Sequence, residues 1–328
     1  MTEYAQLGET EQVEVLRAAA LAAAPEFGLE VAGLEVTLHG YNTTFRLDAA
    51  DGRRVALRLN TNSQSSAANV AAQTAWQHAI RADTEVLVPD PLPAADGGYL
   101  AVVGSPDFGR DLIVTVSSWL DGPDVERCTP EQARALGAAM AVLHTQAASW
   151  TLPPGAELPV FDRPLFGDPD VLTGAAADDP ELADLVAETA ARSAAGFAAA
   201  YAGSTLIPLH ADLHGGNLKW HEDRLGIFDF DDAGLGTPLL DLSIATFYLR
   251  DGAGVRAEAA LRAGYETIRA LPDLEHLENL VVARQLLLAN SLLGSSTAAW
   301  RADGEAYLAT MARRLRNWRE TGYFRLDA

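Results

Sequence analysis

Leu209-His210-Ala211-Asp212-Leu213-His214-Gly215-Gly216-Asn217-Leu218-Lys219-Trp220 is the stretch on which the reading of this chain turns. It lies between two apolar, β-type segments, 205–210 and 218–220, so it reads as a tight, glycine-containing loop at a strand end. The next apolar segment ends in Asp229-Phe230-Asp231-Asp232, an acidic cluster. A hairpin-like arrangement of the two segments brings Asp212, Asn217 and Asp229 together. Carboxylate and amide oxygens suit Mg²⁺, a hard cation that takes few protein ligands and shares phosphate oxygens. A further carboxylate, Asp212, can orient an attacking hydroxyl and accept its proton. Metal ligands plus a positioned base form the smallest set that serves phosphoryl transfer.

Working outward, the pattern changes on either side. In the first third, a helix over 10–23 is expected behind a Thr10 cap, closed by Pro25 and Gly28. Alternating segments at 34–38, 44–47 and 54–59 follow, with the hairpin signal Asp51-Gly52 between the last two. A helix over 65–81 and strands at 99–103 and 112–119 complete this part. Three consecutive hairpin-type strands predict an antiparallel sheet with one main helix against it, hence α+β. The remainder is mainly helical. Thr129-Pro130-Glu131-Gln132 is a capping box with proline at the first helical position. Asp179-Pro180 opens another helix, and helices are expected near 238–250, 254–270, 273–294 and 302–318. The segment 152–174, rich in proline and glycine, reads as a long connection. The boundary between a first lobe, 1–119, and a second, 120–328, falls at Leu120-Asp121-Gly122-Pro123, where strands stop and helices begin.

Composition narrows the function class. The chain has 328 residues, 48% apolar and 21% charged, ordinary for a globular protein and long enough for two lobes. Its formal charge of −21 argues against nucleic acid or anionic membrane as a partner, because both are bound through Lys and Arg. Such a surface can draw in a cationic substrate or serve solubility alone. No run of apolar residues is long enough for a membrane span. The single cysteine, Cys128, excludes an intrachain disulfide framework and fits a reducing, cytoplasmic setting. Lys219 is the only lysine.

His-x-Asp-x-x-x-x-Asn, followed by a strand ending in Asp-Phe, resembles the catalytic and metal loops of the protein-kinase superfamily. The form His210-Ala-Asp212-Leu-His-Gly-Gly-Asn217 is most similar to the aminoglycoside phosphotransferase and choline-kinase-like branch, which includes homoserine kinase and a bacterial stress-response kinase. Leu239-Leu240-Asp241-Leu242-Ser243 continues the resemblance, Trp119-Leu120-Asp121-Gly122 resembles the hinge, and Leu136 to His144 resembles the helix before the catalytic loop. The similarity spans about 33–250. It implies a two-lobed kinase-like fold and an ATP- and Mg²⁺-dependent kinase acting on an alcohol group. It makes Asp212 the catalytic base, Asn217 and Asp229 the metal ligands, and Asp241 a structural anchor of the catalytic-loop backbone.

Nucleotide contacts follow from the same resemblance. Arg58 stands where kinases carry a strand lysine and becomes the cation for the phosphates, suited to this by its bidentate fork; an exposed strand arginine is the plain alternative. Gln73 stands where a helix glutamate pairs with that cation, so a Gln73–Arg58 hydrogen bond is expected, and Gln73→Glu is expected to change activity tenfold or less. A solvent-facing glutamine is the alternative. The turn around Asn42 and Thr43 is expected to cover the phosphates with backbone N–H groups, although an ordinary hairpin turn explains it equally well. The adenine is expected on the Ser118 carbonyl and the Leu120 N–H.

His210 and His214 raise a rival, a transition-metal hydrolase site. The other histidines form no second cluster in sequence, and His210 is better read as packing that holds the loop. The expected reaction is transfer of the ATP γ-phosphoryl group to a hydroxyl of a small molecule, an amino sugar or amino alcohol. A serine/threonine protein kinase and a nucleotide-binding pseudokinase scaffold, the latter suggested by Gln73, are the alternatives.

Overall fold

The computed structural model describes residues 3–251 and 254–328. The chain begins with helix α1 (Glu9–Ala23), then strands β1 (Val31–His39), β2 (Thr43–Ala49) and β3 (Arg54–Leu59), helix α2 (Ala67–Asp83), and strands β4 (Ala101–Val103) and β5 (Leu112–Ser118). These five strands form one antiparallel sheet in the order β1-β2-β3-β5-β4. Gly8, rather than Thr10, stands at the N-cap of α1; the Glu11 carboxylate accepts the Gly8 N–H (3.0 Å) and satisfies a donor there.

Alternation along the strands sorts the sheet into two faces. Phe45, Leu47, Val55, Leu57, Leu59, Leu112, Val114 and Val116 are buried in one cluster with Leu16, Ala19, Ala20 and Ala23 of α1. The intervening Thr44, Ala56, Arg58, Thr115 and Ser117 face a cleft. The helix that covers the sheet is therefore α1. Helix α2, expected to be the sheet's main helix, buries Ala72, Trp76 and Ile80 in the core of the helical half instead. The Trp76 indole N–H donates to Gln146 Oε1 (3.0 Å), and its ring meets Phe230 edge-on at 5.6 Å. Thus α2 ties the strand-rich part to the helical part along one wall of the cleft.

The helical part comprises α3 (Pro130–Ala147), α4 (Leu172–Ala176), α5 (Pro180–Tyr201), the short strands β6 (Ile207–Leu209), β7 (Leu218–His221), β8 (Arg224–Ile227) and β9 (Gly234–Gly236), and α6 (Pro238–Leu249), α7 (Gly254–Tyr265), α8 (Leu277–Gly294) and α9 (Ala298–Thr321). The expected capping box opens α3: Thr129 Oγ1 accepts the Gln132 N–H (3.2 Å) and Gln132 Oε1 accepts the Thr129 N–H (2.9 Å). Helices α3 and α7 pack so closely that a Cβ on Gly137 would lie 1.9 Å from the Leu261 carbonyl oxygen. Strand β7 pairs with β8 as a hairpin, and β6 pairs with β9 across the loop that carries Asp229. No helix among the described residues is long and apolar enough to cross a membrane.

Candidate active site

The catalytic-loop candidate leaves β6 through Ala211, whose φ of 60° is unusual for a residue with a side chain. One buried carboxylate holds it there. Asp241, at the start of α6 and 1% exposed, accepts the Ala211 N–H at Oδ1 (2.7 Å) and the His210 N–H at Oδ2 (3.3 Å). His144 of α3 donates its Nε2–H to the same Oδ2 (3.0 Å), while its Nδ1 accepts the Tyr265 hydroxyl (2.9 Å). Three separate helices thus fix two consecutive loop amides. His210 adds a second anchor: Nε2 donates to the Phe228 carbonyl (2.9 Å) and Nδ1 accepts the Asp212 N–H (3.3 Å). Its ring packs on Phe230 at 4.7 Å. With both ring nitrogens spent on the backbone, His210 is a brace and not a metal ligand.

Gly215 is needed for the loop to approach its neighbour, since a Cβ there would lie 2.0 Å from the Val125 carbonyl oxygen. The loop returns to β7 at Asn217, 7% exposed, whose amide donates to Asp212 Oδ2 (2.7 Å) and to the Asp212 carbonyl (3.0 Å). The Asn217 carbonyl accepts the Phe228 N–H (3.1 Å), which sets Asp229 beside it. Asp229 has φ 62° and ψ 70°, a left-handed conformation that costs a non-glycine residue of order 1 kcal/mol or more and is concentrated at functional sites.

Across the cleft, Arg58 reaches down from β3. Its Nη1 donates to Asp229 Oδ1 (2.5 Å) and its Nη2 to Asp231 Oδ1 (3.0 Å). Burial lowers the Arg58 pKa, but Asp231 and then Asp229 outweigh it and hold the guanidinium charged. Gln73 is buried, yet it does not bond Arg58. Its Nε2 donates to the Asp231 carbonyl (2.8 Å) and to Ser65 Oγ (3.4 Å). The expected Gln73–Arg58 pair is replaced because the acidic cluster itself supplies the partners of the arginine.

The side chains of Asn42 and Thr43 hold the β1–β2 turn itself. The Asn42 amide donates to Asp231 Oδ2 (2.7 Å), while its Oδ1 accepts the N–H groups of Thr61 (3.1 Å) and Ser63 (3.3 Å). Thr43 Oγ1 bonds His39 Nδ1 (2.8 Å) and Thr61 Oγ1 (3.1 Å). Both side chains are consumed in fixing the β1–β2 turn against its neighbours. Ser118 and Leu120 line the cleft, and the Leu120 amide makes no backbone hydrogen bond among the described residues. The cleft encloses about 350 Å³, bounded by Arg58, Gln73, the segment 117–120, Lys219 and the Asp229–Asp231 turn. Lys219 Nζ pairs with Asp124 Oδ1 (2.8 Å) at the hinge end.

Arg284 went unread in the sequence, and the contacts of His214 and Asp232, both noted there, show only in the structure. Arg284 of α8 bonds Asp212 Oδ1 through Nη2, which also donates to the Tyr248 hydroxyl (3.0 Å). His214 Nδ1 accepts the Gly216 N–H (3.0 Å), which leaves Nε2–H facing Asp212 Oδ2 at 3.3 Å. Burial pushes the Asp212 carboxyl up, but the Arg284 charge and then His214 pull it below the usual carboxylate range. Asp232 goes the other way: burial, then the charges of Asp212 and Asp231, drive it well above that range. The signal for Arg284 was present as a charge inside a helix otherwise buried and apolar over Leu280, Val281, Val282, Ala283, Leu286 and Leu287.

Residues 36–278 of this 328-residue chain match the phosphotransferase enzyme family. The chain belongs to that family. It is also 30% identical over 280 residues to an uncharacterised protein of Deinococcus radiodurans, across 82% of this chain and 79% of the relative. Among solved structures, a microcompartment-associated aminopropanol kinase is similar with TM-score 0.70 and 22% identity, over 94% of this chain and 99% of that one. An amicoumacin kinase gives TM-score 0.67 at 16% identity, covering 97% and 95%. A spectinomycin phosphotransferase gives 0.59 at 12%, covering 92% and 98%. At these identities the structural likeness establishes the fold, which is kinase-like, while the family match establishes the phosphotransferase class.

Proposed function

We propose that this phosphotransferase moves the γ-phosphoryl group of ATP, with Mg²⁺, to a hydroxyl of a small amine-bearing molecule of the amino sugar or amino alcohol type. The observation that carries the reading is the meeting of Arg58 and Asp229 in a cleft bounded at its other end by residues 117–120, beside Asn217, which is bonded to Asp212 through its amide and to the Phe228 N–H through its carbonyl. Asn217 Oδ1 and Asp229 Oδ2 make no protein hydrogen bond among the described residues, and two free oxygen donors fit a cation that takes few protein ligands. When bound, such an ion would neutralise negative charge on the phosphates. The chain does the rest. Asp212, held ionised, accepts the proton of the attacking hydroxyl, and Asn217 and His214 fix its rotamer. Arg58 presents a permanent positive charge from the roof of the cleft. The Leu120 amide is free to receive a base edge.

A cationic acceptor is favoured by the charge of −21 and by a second cavity of about 880 Å³, walled by Tyr41, Asp168, Asn290 and Ser291. Burial pushes the Tyr41 phenol up and Asp232, Asp168 and Asp231 add to it, so this wall lies within electrostatic reach of the acidic cluster. The aminopropanol named for one of the similar structures is an amine-bearing alcohol of this type. A coupled ADP-release screen of amino sugars, amino alcohols and nucleosides tests the reading. Turnover on at least one amine-bearing alcohol is expected, and Asp212→Asn should lower it by ~10²–10⁴ while ATP still binds. An Asp212→Asn enzyme keeping more than a tenth of the rate removes Asp212 from the role of base.

A further inference from the structure

A second buried arginine enters the transfer centre from outside the motif region. Arg284 is 9% exposed, and its Nη2 is shared between Asp212 Oδ1 and the Tyr248 hydroxyl. Its Nε is buried without a partner. His214 stacks on the Tyr248 ring (4.4 Å, 27°) and faces the other Asp212 oxygen. Arg284 and His214 therefore grip opposite oxygens of one carboxylate. A buried N–H left unbonded is costly, so a guanidinium kept in this state beside Asp212 calls for an explanation.

Geometry supplies one. An acceptor hydroxyl hydrogen-bonded to Asp212 sits about 3 Å from it, with the phosphorus about 3–3.5 Å further on. A guanidinium already touching Asp212 is then no more than about 6–9 Å from the phosphorus, a gap that a long side chain can close. Arg58 cannot easily serve the same end, because Asp229 and Asp231 hold it on the roof. We infer that Arg284 is a catalytic arginine supplied in cis, orienting Asp212 through Nη2 and offering Nη1, which bonds no protein group among the described residues, to an equatorial oxygen of the phosphoryl group in transfer. This rests on the phosphotransfer reading above. In the step, the bond from acceptor oxygen to phosphorus forms as the bond to the ADP oxygen breaks, and the hydroxyl proton passes to Asp212. Arg284 keeps all its protons, since a guanidinium does not titrate in this range. Arginines in this role act on the transition state far more than on bound nucleotide.

The test compares affinities for ADP·Mg²⁺ with and without aluminium fluoride, by calorimetry on the full chain, with water in the place of the acceptor. The wild type should gain affinity when fluoride is added. Arg284→Met should lose at least tenfold of that gain while its ADP affinity stays within threefold; Arg284→Lys, which keeps the charge but not the planar fork, should fall between. An unchanged gain in Arg284→Met overturns the inference, as does a parallel loss of ADP affinity, which would mark a packing residue. If Arg284→Met does not fold, a wild-type gain in Arg284→Lys overturns it. A wild type that binds ADP but gains nothing from fluoride also overturns it, whereas a wild type that binds no nucleotide sinks the phosphotransfer reading itself.

Discussion

Gln73→Glu restores the residue type that kinases place at this helix position, and the sequence alone makes it look harmless. The structure reverses that expectation. Gln73 is 4% exposed and its Nε2 donates to the Asp231 carbonyl at 2.8 Å. An ionised carboxylate there has no proton to donate, so an oxygen faces an oxygen and a hydrogen bond of about 1 kcal/mol is lost. It also adds a negative charge beside Asp231, which shares Arg58 with Asp229. Burying an uncompensated carboxylate costs several kcal/mol, unless the group stays protonated and donates as the amide did. Its folded pKa is then raised above the unfolded value of about 4.3. The sign follows. Below about pH 4 the group is protonated in both states and the substitution costs little. Above that, the cost rises by about 1.4 kcal/mol per pH unit until the folded pKa is reached and then levels off. We expect a destabilisation of about 1 kcal/mol at pH 5 and 2–4 kcal/mol at pH 8. Urea unfolding of wild type and variant at pH 5, 6.5 and 8 measures it. A difference under ~0.5 kcal/mol at every pH would show that the introduced carboxyl finds water or a cation, and the account of the Gln73 contact would be wrong.

Asp241→Ala strips two loop amides and His144 of their shared acceptor and should cost about 3–5 kcal/mol in urea unfolding; a loss under 1 kcal/mol would show that the loop holds itself. Gly137→Ala drives a methyl into the Leu261 carbonyl at 1.9 Å, so α3 and α7 must part; a loss of at least about 1–3 kcal/mol is expected, read as a lowered midpoint in thermal unfolding. Glu258 is buried, which raises its carboxyl, but hydrogen bonds and charge from Arg250, then Arg262, pull it below the usual range. Its contribution to stability is present above about pH 4.3 and disappears as pH falls through the lower folded pKa. Unfolding midpoints taken from pH 3 to 6 should therefore fall less steeply in Glu258→Gln than in wild type.

The parts of the fold that show in the sequence are those governed by local periodicity. The alternation of Val55, Leu57 and Leu59 with Ala56 and Arg58 marks a strand with one buried face, and β3 runs over Arg54–Leu59. The capping residues Thr129 and Asp179 mark the starts of α3 and α5 for the same reason, since a cap is a contact within one turn. What stayed hidden depends on contacts between distant segments. β9 is only Gly234–Gly236 and exists because β6 offers it a partner. The assignment of α1 rather than α2 to the sheet turns on which apolar stripe meets which face, and both helices carry one. Trp76 is apolar in either reading; only the approach of Gln146 and Phe230 reveals that its helix belongs to the other core.

The same division runs through the site. Asp212, Asn217 and Asp229 sit at spacings that chemistry constrains along the chain, so a motif can display them. The partners of Arg58 and Gln73 are set by how deeply the Asp229–Asp232 turn reaches into the cleft. That depth follows from His210 gripping the Phe228 carbonyl and from the left-handed backbone of Asp229, a conformation with no sequence pattern of its own. Arg284 lies 72 residues beyond Asp212, and the two meet because α8 packs on α6, which also brings Tyr248 to the pair. A charge in a buried helix must have a partner, so the apolar run of α8 announces that Arg284 is matched to something. Which carboxylate it matches is decided only by how α8 lies against the loop 210–217, and that choice places a cation on Asp212 instead of on any other acid of the cluster.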